Sequence, residues 1–486
     1  MFASLKKRYG QLSKPIKASI WFLICSFLQK GISVFVTPIF TRLLTTEEYG
    51  AYDVFNSWLN ILTVLVTLNL YAGVYTQGLV VFEEDRKVFS STLQGLTLVL
   101  TLIWTIVYTL FSGFWNNLLS LTTVQIYAML LMMWSTAVFG FWAASQRVQF
   151  NYKLLVLVTI IISILKPLAS ILLVINSNDK VTARILGITF VEVLGYSAFF
   201  FIQLFRGKRF FSKKYWIYAL SFNLPLVPHY LSQTVLNGAD KIMIESMVGK
   251  SEAGIYGLAY SISNLMMLFN IALLNTLNPW IYQKIKRREE KDIAPVGYGC
   301  LIGIAIVNML LIIFAPDLVR LFAPIEYYDA IWTIPPVAMS VYFIFSYSLF
   351  AGFEFYYKKT KMIMVASVVA ALMNIVLNYI FINLFGYIAA GYTTLFCYII
   401  YSVGHYLFMK RVCNKYLNGS IVYRPKTLLL ISMTFITLGF IIQFTYSSNI
   451  VRYIAGGVML AGILLFRKRI VAAAKNLLSL RKQKQS

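Results

Sequence analysis

The chain has 486 residues, of which 59% are hydrophobic and only 13% charged, and its mean hydropathy is +0.72. Soluble domains carry about 25% charged residues, and no soluble fold of this length has an interior large enough for so much apolar side chain, so the composition excludes one and makes lipid the solvent. The net charge of +25, from 43 Lys and Arg against 18 Asp and Glu, lies in short clusters between apolar runs; that is the pattern of membrane-protein loops and not of a nucleic-acid-binding patch.

At the N-terminus, Lys6, Lys7, Arg8, Lys14 and Lys17 precede a long apolar run without a small-residue cleavage site, which reads as a retained first helix. Mostly apolar stretches of membrane-crossing length then fall near 18–41, 51–80, 88–112, 122–145, 154–175, 184–205, 216–238, 254–282, 293–315, 331–353, 362–383, 387–409, 427–446 and 450–467. Roughly fourteen spans of about twenty residues define an all-α polytopic membrane protein. The segments between them are too short for a folded domain. The tail from Arg467, with Val471, Leu477, Leu478 and Leu480 among basic residues, reads as a membrane-surface helix.

Alternate loops differ in charge. The set containing Arg86, Lys87, Arg147, Lys153, the 206–214 and 284–291 clusters, Lys358, Lys359, Lys361, the 410–426 cluster and both ends holds roughly 34 of the 43 basic residues, which predicts that both termini are cytoplasmic.

Shifted by 204 residues, the chain matches itself. Glu48, Gly50 and Tyr52 fall on Glu252, Gly254 and Tyr256, Ser57 on Ser261, Asn60 on Asn264, and Gly187 on Gly391. The offset predicts two parallel six-helix repeats, 1–205 and 216–411, joined by a cytoplasmic linker at 206–215. Residues 412–470 add two further helices, and 471–486 form a basic cytoplasmic tail.

No P-loop, Gly-rich nucleotide fingerprint, HExxH or GxSxG motif occurs, so neither ATP hydrolysis nor zinc chemistry is expected. Cys25, Cys300, Cys397 and Cys413 show no CxxC spacing and the two histidines lie far apart, so no metal site, disulfide framework or cofactor is expected. The informative residues are polar ones inside spans, where they are costly. Span 1 carries Ser26, Lys30, Ser33, Thr37 and Thr41 on one helical face, with Pro38 placed to bend it and Arg42 at its end. Span 2 carries Asp53, Asn56, Asn60, Thr63 and Thr67, opened by a capping box at Thr45–Glu48. Span 7 aligns His229, Gln233, Asn237 and Asp240, and span 8 holds Asn264, Asn275 and Asn278.

These faces predict a water-filled cavity rimmed by Lys30, Arg42, Asp53, Asp240 and Lys241, with interhelical hydrogen bonding in a dry bundle as the alternative. The candidate substrate-binding residues are Lys30, Thr37, Arg42, Asn56, Asn60, His229, Gln233, Asn237, Asn264 and Asn275. Asp53, Asp240 and Glu192 are candidates for ion coupling, and Lys166 and Glu192 for a structural ion pair between spans 5 and 6.

The run Gln29-Lys30-Gly31 through Thr37-Pro38, Thr41-Arg42 and Glu48-Tyr49-Gly50 resembles the N-terminus of Wzx-type polysaccharide repeat-unit flippases. Asn223, Pro225, Pro228 and His229, then Asp240-Lys241, then Ala253-Gly254-Ile255-Tyr256, resemble the start of that family's second half. Asn374 to Asn378 with Gly386 and Gly391 resemble its span 11–12 region.

The resemblance places the chain beside multidrug extruders and lipid II flippases. It implies two bundles in a V-shaped arrangement that move an undecaprenyl-pyrophosphate-linked oligosaccharide across a bacterial cytoplasmic membrane for capsule, exopolysaccharide or O-antigen synthesis, the lipid tail passing along a groove made by spans 13 and 14. Its implied partners are that substrate, membrane lipids, a polysaccharide polymerase and a chain-length regulator. The alternatives are a cation-coupled multidrug exporter, or an exporter of lipid II or teichoic-type precursors. The cationic lining is thin for an anion site, with a single basic residue deep in span 1.

Overall fold

The computed structural model describes residues 14–465; the basic residues before Lys14 and the expected surface helix after Arg467 lie outside the described residues. Hydrocarbon offers no partner to a backbone N–H or C=O, so a chain of this composition satisfies its backbone within helices, and the described residues form no strand. Among the described residues, ten helices or helix pairs are long and apolar enough to cross a bilayer. Of the other expected spans, 2, 7 and 12 are helical but more polar, and the described part of span 14 has 17 residues.

The chain divides into two compact units, Met1–Ile242 and Met243–Ser486. The first contains α1 (Lys14–Leu43), α2 (Thr46–Thr67), α3 (Gly73–Val81), α4 (Arg86–Leu110), α5 (Ser112–Leu119), α6 (Thr123–Val148), α7 (Tyr152–Ile175), α8 (Lys180–Gly207), α9 (Lys213–Asn223) and most of α10 (Val227–Met247). Helix α1 lies along α7, while α8 packs on α4, α6 and α7. One core cluster joins Phe55, Met129, Met133 and Ile185. A second, aromatic one joins Tyr75, Phe89, Phe141 and Tyr215. The capping box at Thr45 and Glu48 is formed.

Spans 2 and 7 are interrupted. Helix α2 ends at Leu68 and Asn69, both with positive φ, and a short 3-10 turn at Leu224–Leu226 containing Pro225 separates α9 from α10. The Asn223 side chain, fully buried, donates to the Leu68 carbonyl. One break thereby takes up a backbone acceptor that the other leaves without a helical partner.

The second unit contains α11 (Lys250–Ser263), α12 (Met266–Arg287), α13 (Ile293–Ile313), α14 (Ala315–Phe322), α15 (Ala330–Tyr356), α16 (Thr360–Phe385), α17 (Ala389–Tyr416), α18 (Pro425–Phe444) and α19 (Asn449–Leu465). Helix α15 is central, packed by α11, α12, α13 and α17. The added helices are anchored by polar contacts. Gln443 on α18 donates to the Trp332 carbonyl and to the Tyr392 hydroxyl, at 3.3 and 2.9 Å. Arg452 on α19, fully buried, forms a bidentate ion pair with Asp317 on α14 and donates to the Ile313 carbonyl at 3.0 Å.

Helix starts recur along the chain. Thr46 and Lys250 open α2 and α11, 204 residues apart. Helices α4 to α8 have counterparts α13 to α17 that begin 203–209 residues later. The glycines matched by the offset both sit at tight crossings. A Cβ at Gly187 would lie 2.6 Å from Ser170 Cα on α7, and one at Gly391 would lie 3.1 Å from Pro336 on α15. Their neighbours are different helices of the repeat, so the shared need is close approach and not one shared contact.

Candidate functional site

The polar face of α1 is open along its middle. Lys30 is exposed, Thr37 is partly buried, and Arg42 is exposed at the helix end. Hydroxyls in this stripe bond back to their own helix: Ser26 donates to the Phe22 carbonyl and Thr37 to the Ser33 carbonyl, both at 3.0 Å. Arg42 folds back onto the Pro38 carbonyl at 2.8 Å. The same carbonyl also accepts from the Thr41 hydroxyl at 3.2 Å.

Helices α2 and α10 meet within the first unit, where a Cβ added at Gly238 would lie 3.4 Å from the Ser57 side chain. Asp53, 7% exposed, receives Lys241 Nζ at 3.2 Å. Asp240 is buried too. The expectation that these three residues rim an open cavity is therefore corrected: they stand inside the packed unit, where a lone charge would be costly. Asn60 and Asn237 are exposed, and Asn56, His229 and Gln233 partly so. Asn237 donates to the Gln233 carbonyl at 2.7 Å.

The expected pair of Lys166 and Glu192 is formed across α7 and α8. Thr136 donates to the second carboxylate oxygen at 3.3 Å, and the lysine ammonium stands 5.5 Å from the Tyr196 ring centre. Glu192, also a candidate for ion coupling, is thus held by a cation and a hydroxyl.

In the second unit, Asn264 caps α11 and Asn275 is exposed on α12. Asn270 instead bonds the Val341 carbonyl of α15 at 2.9 Å. Buried Asn374 and Asn378 of α16 form a network with Thr393 and Thr394 of α17. An apolar cavity of about 620 Å³ opens between α16 and α17, lined by Leu377, Phe381, Phe385, Ile388, Tyr392 and Phe396 among others.

Several polar residues escaped sequence reasoning. Arg184, at the start of α8, is 8% exposed and stacked between Phe40 and Tyr52, with ring centres 3.8 and 3.5 Å from its guanidinium carbon. Glu354 and His405 are fully buried and paired, with Nδ1 and Oε1 2.7 Å apart. In the first turn of α14, burial pushes the Asp317 carboxyl up, but hydrogen bonds from Arg452 and Tyr453 and the Arg452 charge outweigh burial and hold it below its ordinary range. Among the described residues no cluster of three or more His, Cys, Asp or Glu side chains could hold a metal ion.

The family model described as polysaccharide biosynthesis protein matches residues 16–285, and the MatE model matches residues 225–380. A Haemophilus influenzae protein named as protein 1 of the Lsg locus is 23% identical over 391 residues, 74% of this chain and 90% of that protein. An inward closed structure of the lipid II flippase MurJ matches with a TM-score of 0.69 at 16% identity, covering 93% of this chain and all of that one. An inward-facing multidrug resistance transporter of the MATE family matches with a TM-score of 0.61 at 13% identity, covering 80% and 96%. The first model spans more than half of the chain, and the helical fold agrees with it: the chain belongs to the polysaccharide biosynthesis protein family and has an all-α, multi-pass membrane fold like that of the two transporters.

Proposed function

We propose that this transporter carries undecaprenyl-pyrophosphate-linked oligosaccharide repeat units across a bacterial cytoplasmic membrane by alternating access, supplying capsule, exopolysaccharide or O-antigen synthesis. The observation that carries the reading is the open face of α1, where Lys30 and Ser33 stand exposed beside partly buried Thr37 on a helix otherwise suited to lipid. A pyrophosphate brings negative charge that hydrocarbon disfavours; an ammonium at Lys30 and a guanidinium at Arg42 offset part of that cost. Sugar hydroxyls need donors and acceptors. Asn56, Asn60, His229, Gln233, Asn237, Asn264 and Asn275 supply both types. The polyprenyl tail stays in hydrocarbon.

In this reading, residues 1–205 and 216–411 rock as repeats about the cargo, and residues 412–470 are an addition beside them. Both termini face the cytoplasm, and Asp53, Asp240 and Glu192 serve ion coupling. Asp53 and Glu192 each hold a lysine, so a coupling ion would exchange with an ammonium at either site. The MatE match over residues 225–380 favours a cation-coupled multidrug exporter as the second reading, which predicts altered drug susceptibility with intact polymer on deletion.

The test is Lys30→Ala in a strain that makes the polymer. The expected result is a clear loss of surface polymer at matched protein level. Unchanged output removes Lys30 from the mechanism.

A further inference from the structure

Helices α15 and α17 meet along a seam that is polar inside a membrane-spanning unit. Ser346 and Ser402 share a hydrogen bond at 2.9 Å. Further toward the end of α15, Glu354 Oε1 and His405 Nδ1 lie 2.7 Å apart, both side chains wholly buried. Each partner has one polar atom left over: Glu354 Oε2 and His405 Nε2 are buried without a hydrogen-bond partner. A structural staple would be expected to use its polar atoms, since an unmet one costs free energy in a buried site.

The surroundings are aromatic. Tyr347 of α15 and Tyr401 of α17 face the imidazole, with ring centres 5.4 and 4.6 Å away. Phe408 of α17 stands edge-on at 6.4 Å. On the other packed elements, Tyr282 of α12 meets Tyr356 beyond Glu354. Tyr298 of α13 meets Tyr423, before α18. Lys359, just before α16, gives its backbone N–H to the Glu354 carbonyl at 2.8 Å while its ammonium lies 5.2 Å from the Tyr416 ring centre. The ammonium is thus directed to Tyr416.

Proton counting gives this pair a property that the lysine pairs of the first unit lack. A carboxylate beside an imidazolium, or a carboxylic acid beside a neutral imidazole, is neutral overall. If water removes one proton, a carboxylate and a neutral imidazole remain, with one net negative charge. Buried in an apolar seam that charge is strongly disfavoured; exposed to water it is not. The closed seam therefore holds the proton, and release requires it to open. Glu354 is two residues from the end of α15, next to the basic turn with Lys358 and Lys359, so opening that end of the seam reaches water first.

We propose that Glu354 and His405 form a proton-binding site in the second unit, loaded when the α15–α17 seam is closed and unloaded to water when it opens. Binding itself is independent of the cargo; only the use of the proton to drive transport rests on the flippase reading above. The protein alone, in lipid nanodiscs without substrate, is examined by infrared difference spectroscopy between acidic and neutral pH. The expected result is a protonation signal of the pair, either a carboxylic-acid C=O band of Glu354 or an imidazolium ring band of His405, that is lost or shifted in Glu354→Gln and in His405→Gln. A spectrum identical in wild type and Glu354→Gln overturns the proposal.

Glu354→Gln keeps an oxygen acceptor for the imidazole, so a purely structural pair predicts unchanged behaviour. A variant that fails to fold is replaced in the comparison by His405→Gln. In proteoliposomes that flip the sugar-lipid, an imposed pH gradient is expected to stimulate the wild type and to lose that stimulation in Glu354→Gln. Equal stimulation in both overturns coupling through this site. A wild type that flips nothing overturns the flippase reading and leaves the infrared result to decide the site.

Discussion

Lys241→Met removes the partner of a carboxylate that sits inside the first unit. Asp53 Oδ2 lies 3.2 Å from Lys241 Nζ, and the two side chains are 10% and 12% exposed. At that distance opposite unit charges attract by about 5 kcal/mol at an effective dielectric of about 20. Much of that attraction offsets the desolvation of both groups, so the pair as a whole contributes little. Loss of one partner is different, because the carboxylate remains buried; removal of a single member of a buried pair costs about 3–5 kcal/mol, whereas replacement of both is close to neutral. Lys241→Met is therefore expected to destabilise by about that amount, a fall in Tm of about 6–20 °C for a unit of this size. The Asp53→Asn/Lys241→Met double variant is expected to recover most of it. Thermal unfolding of detergent-solubilised protein, followed by fluorescence-detected gel filtration, measures both. If single and double variants melt together, the two residues are not a buried charge pair and the α2–α10 contact is maintained by packing alone.

Gly187→Ala places a methyl 2.6 Å from Ser170 Cα and 2.8 Å from its backbone N, so α7 and α8 must part; over-packing of this kind costs about 1–3 kcal/mol, read as a lower Tm. Gly404→Ala on α17 meets nothing within 4 Å, so helix propensity predicts a gain of up to about 1 kcal/mol in the same assay. The Asp317 carboxyl is held below its ordinary range chiefly by Arg452 and Tyr453 against the opposing effect of burial. A depressed carboxyl contributes stability above its unfolded pKa of about 4 and loses it as pH falls through the folded value. Melting measured from neutral to strongly acidic pH should show an acid loss that is smaller in Asp317→Asn.

The spans were legible because lipid imposes length and apolarity together, and α1, α4, α6, α7 and α8 lie where hydropathy places them. Breaks were less legible. The interruption at Leu68 and Asn69 has no proline or glycine to mark it; its reason is a partner, Asn223, that lies 155 residues away. Lys166 and Glu192 could be paired from sequence because they fall in consecutive spans, where adjacency is the default. Asp53 and Lys241, 188 residues apart, could not. Glu354 lies one residue past the expected end of span 10 and so outside the span interiors searched for polar residues, yet α15 runs on to Tyr356. Arg184 stands at the first residue of expected span 6, and rings from α1 and α2 enclose it. In each case the missing information was the neighbour, which periodicity along one helix does not contain.

The buried charges also sort by unit in a way that bears on mechanism. Asp53 and Glu192 face lysines, and a lysine keeps its charge across the pH range in which cells live. Protonating either carboxylate therefore strands an ammonium, and the two pairs link α2 to α10 and α7 to α8. Glu354 faces an imidazole, so its pair is neutral with one shared proton and carries a net charge only after that proton has left to water. If ion coupling operates by protonation, the physical cost is lowest at the α15–α17 seam. Asp53→Asn and Glu192→Gln should then lower stability while leaving the pH dependence of transport in place, and Glu354→Gln should do the reverse. A pH response abolished by Asp53→Asn or Glu192→Gln, in protein that still folds, would move the coupling site back to the first unit.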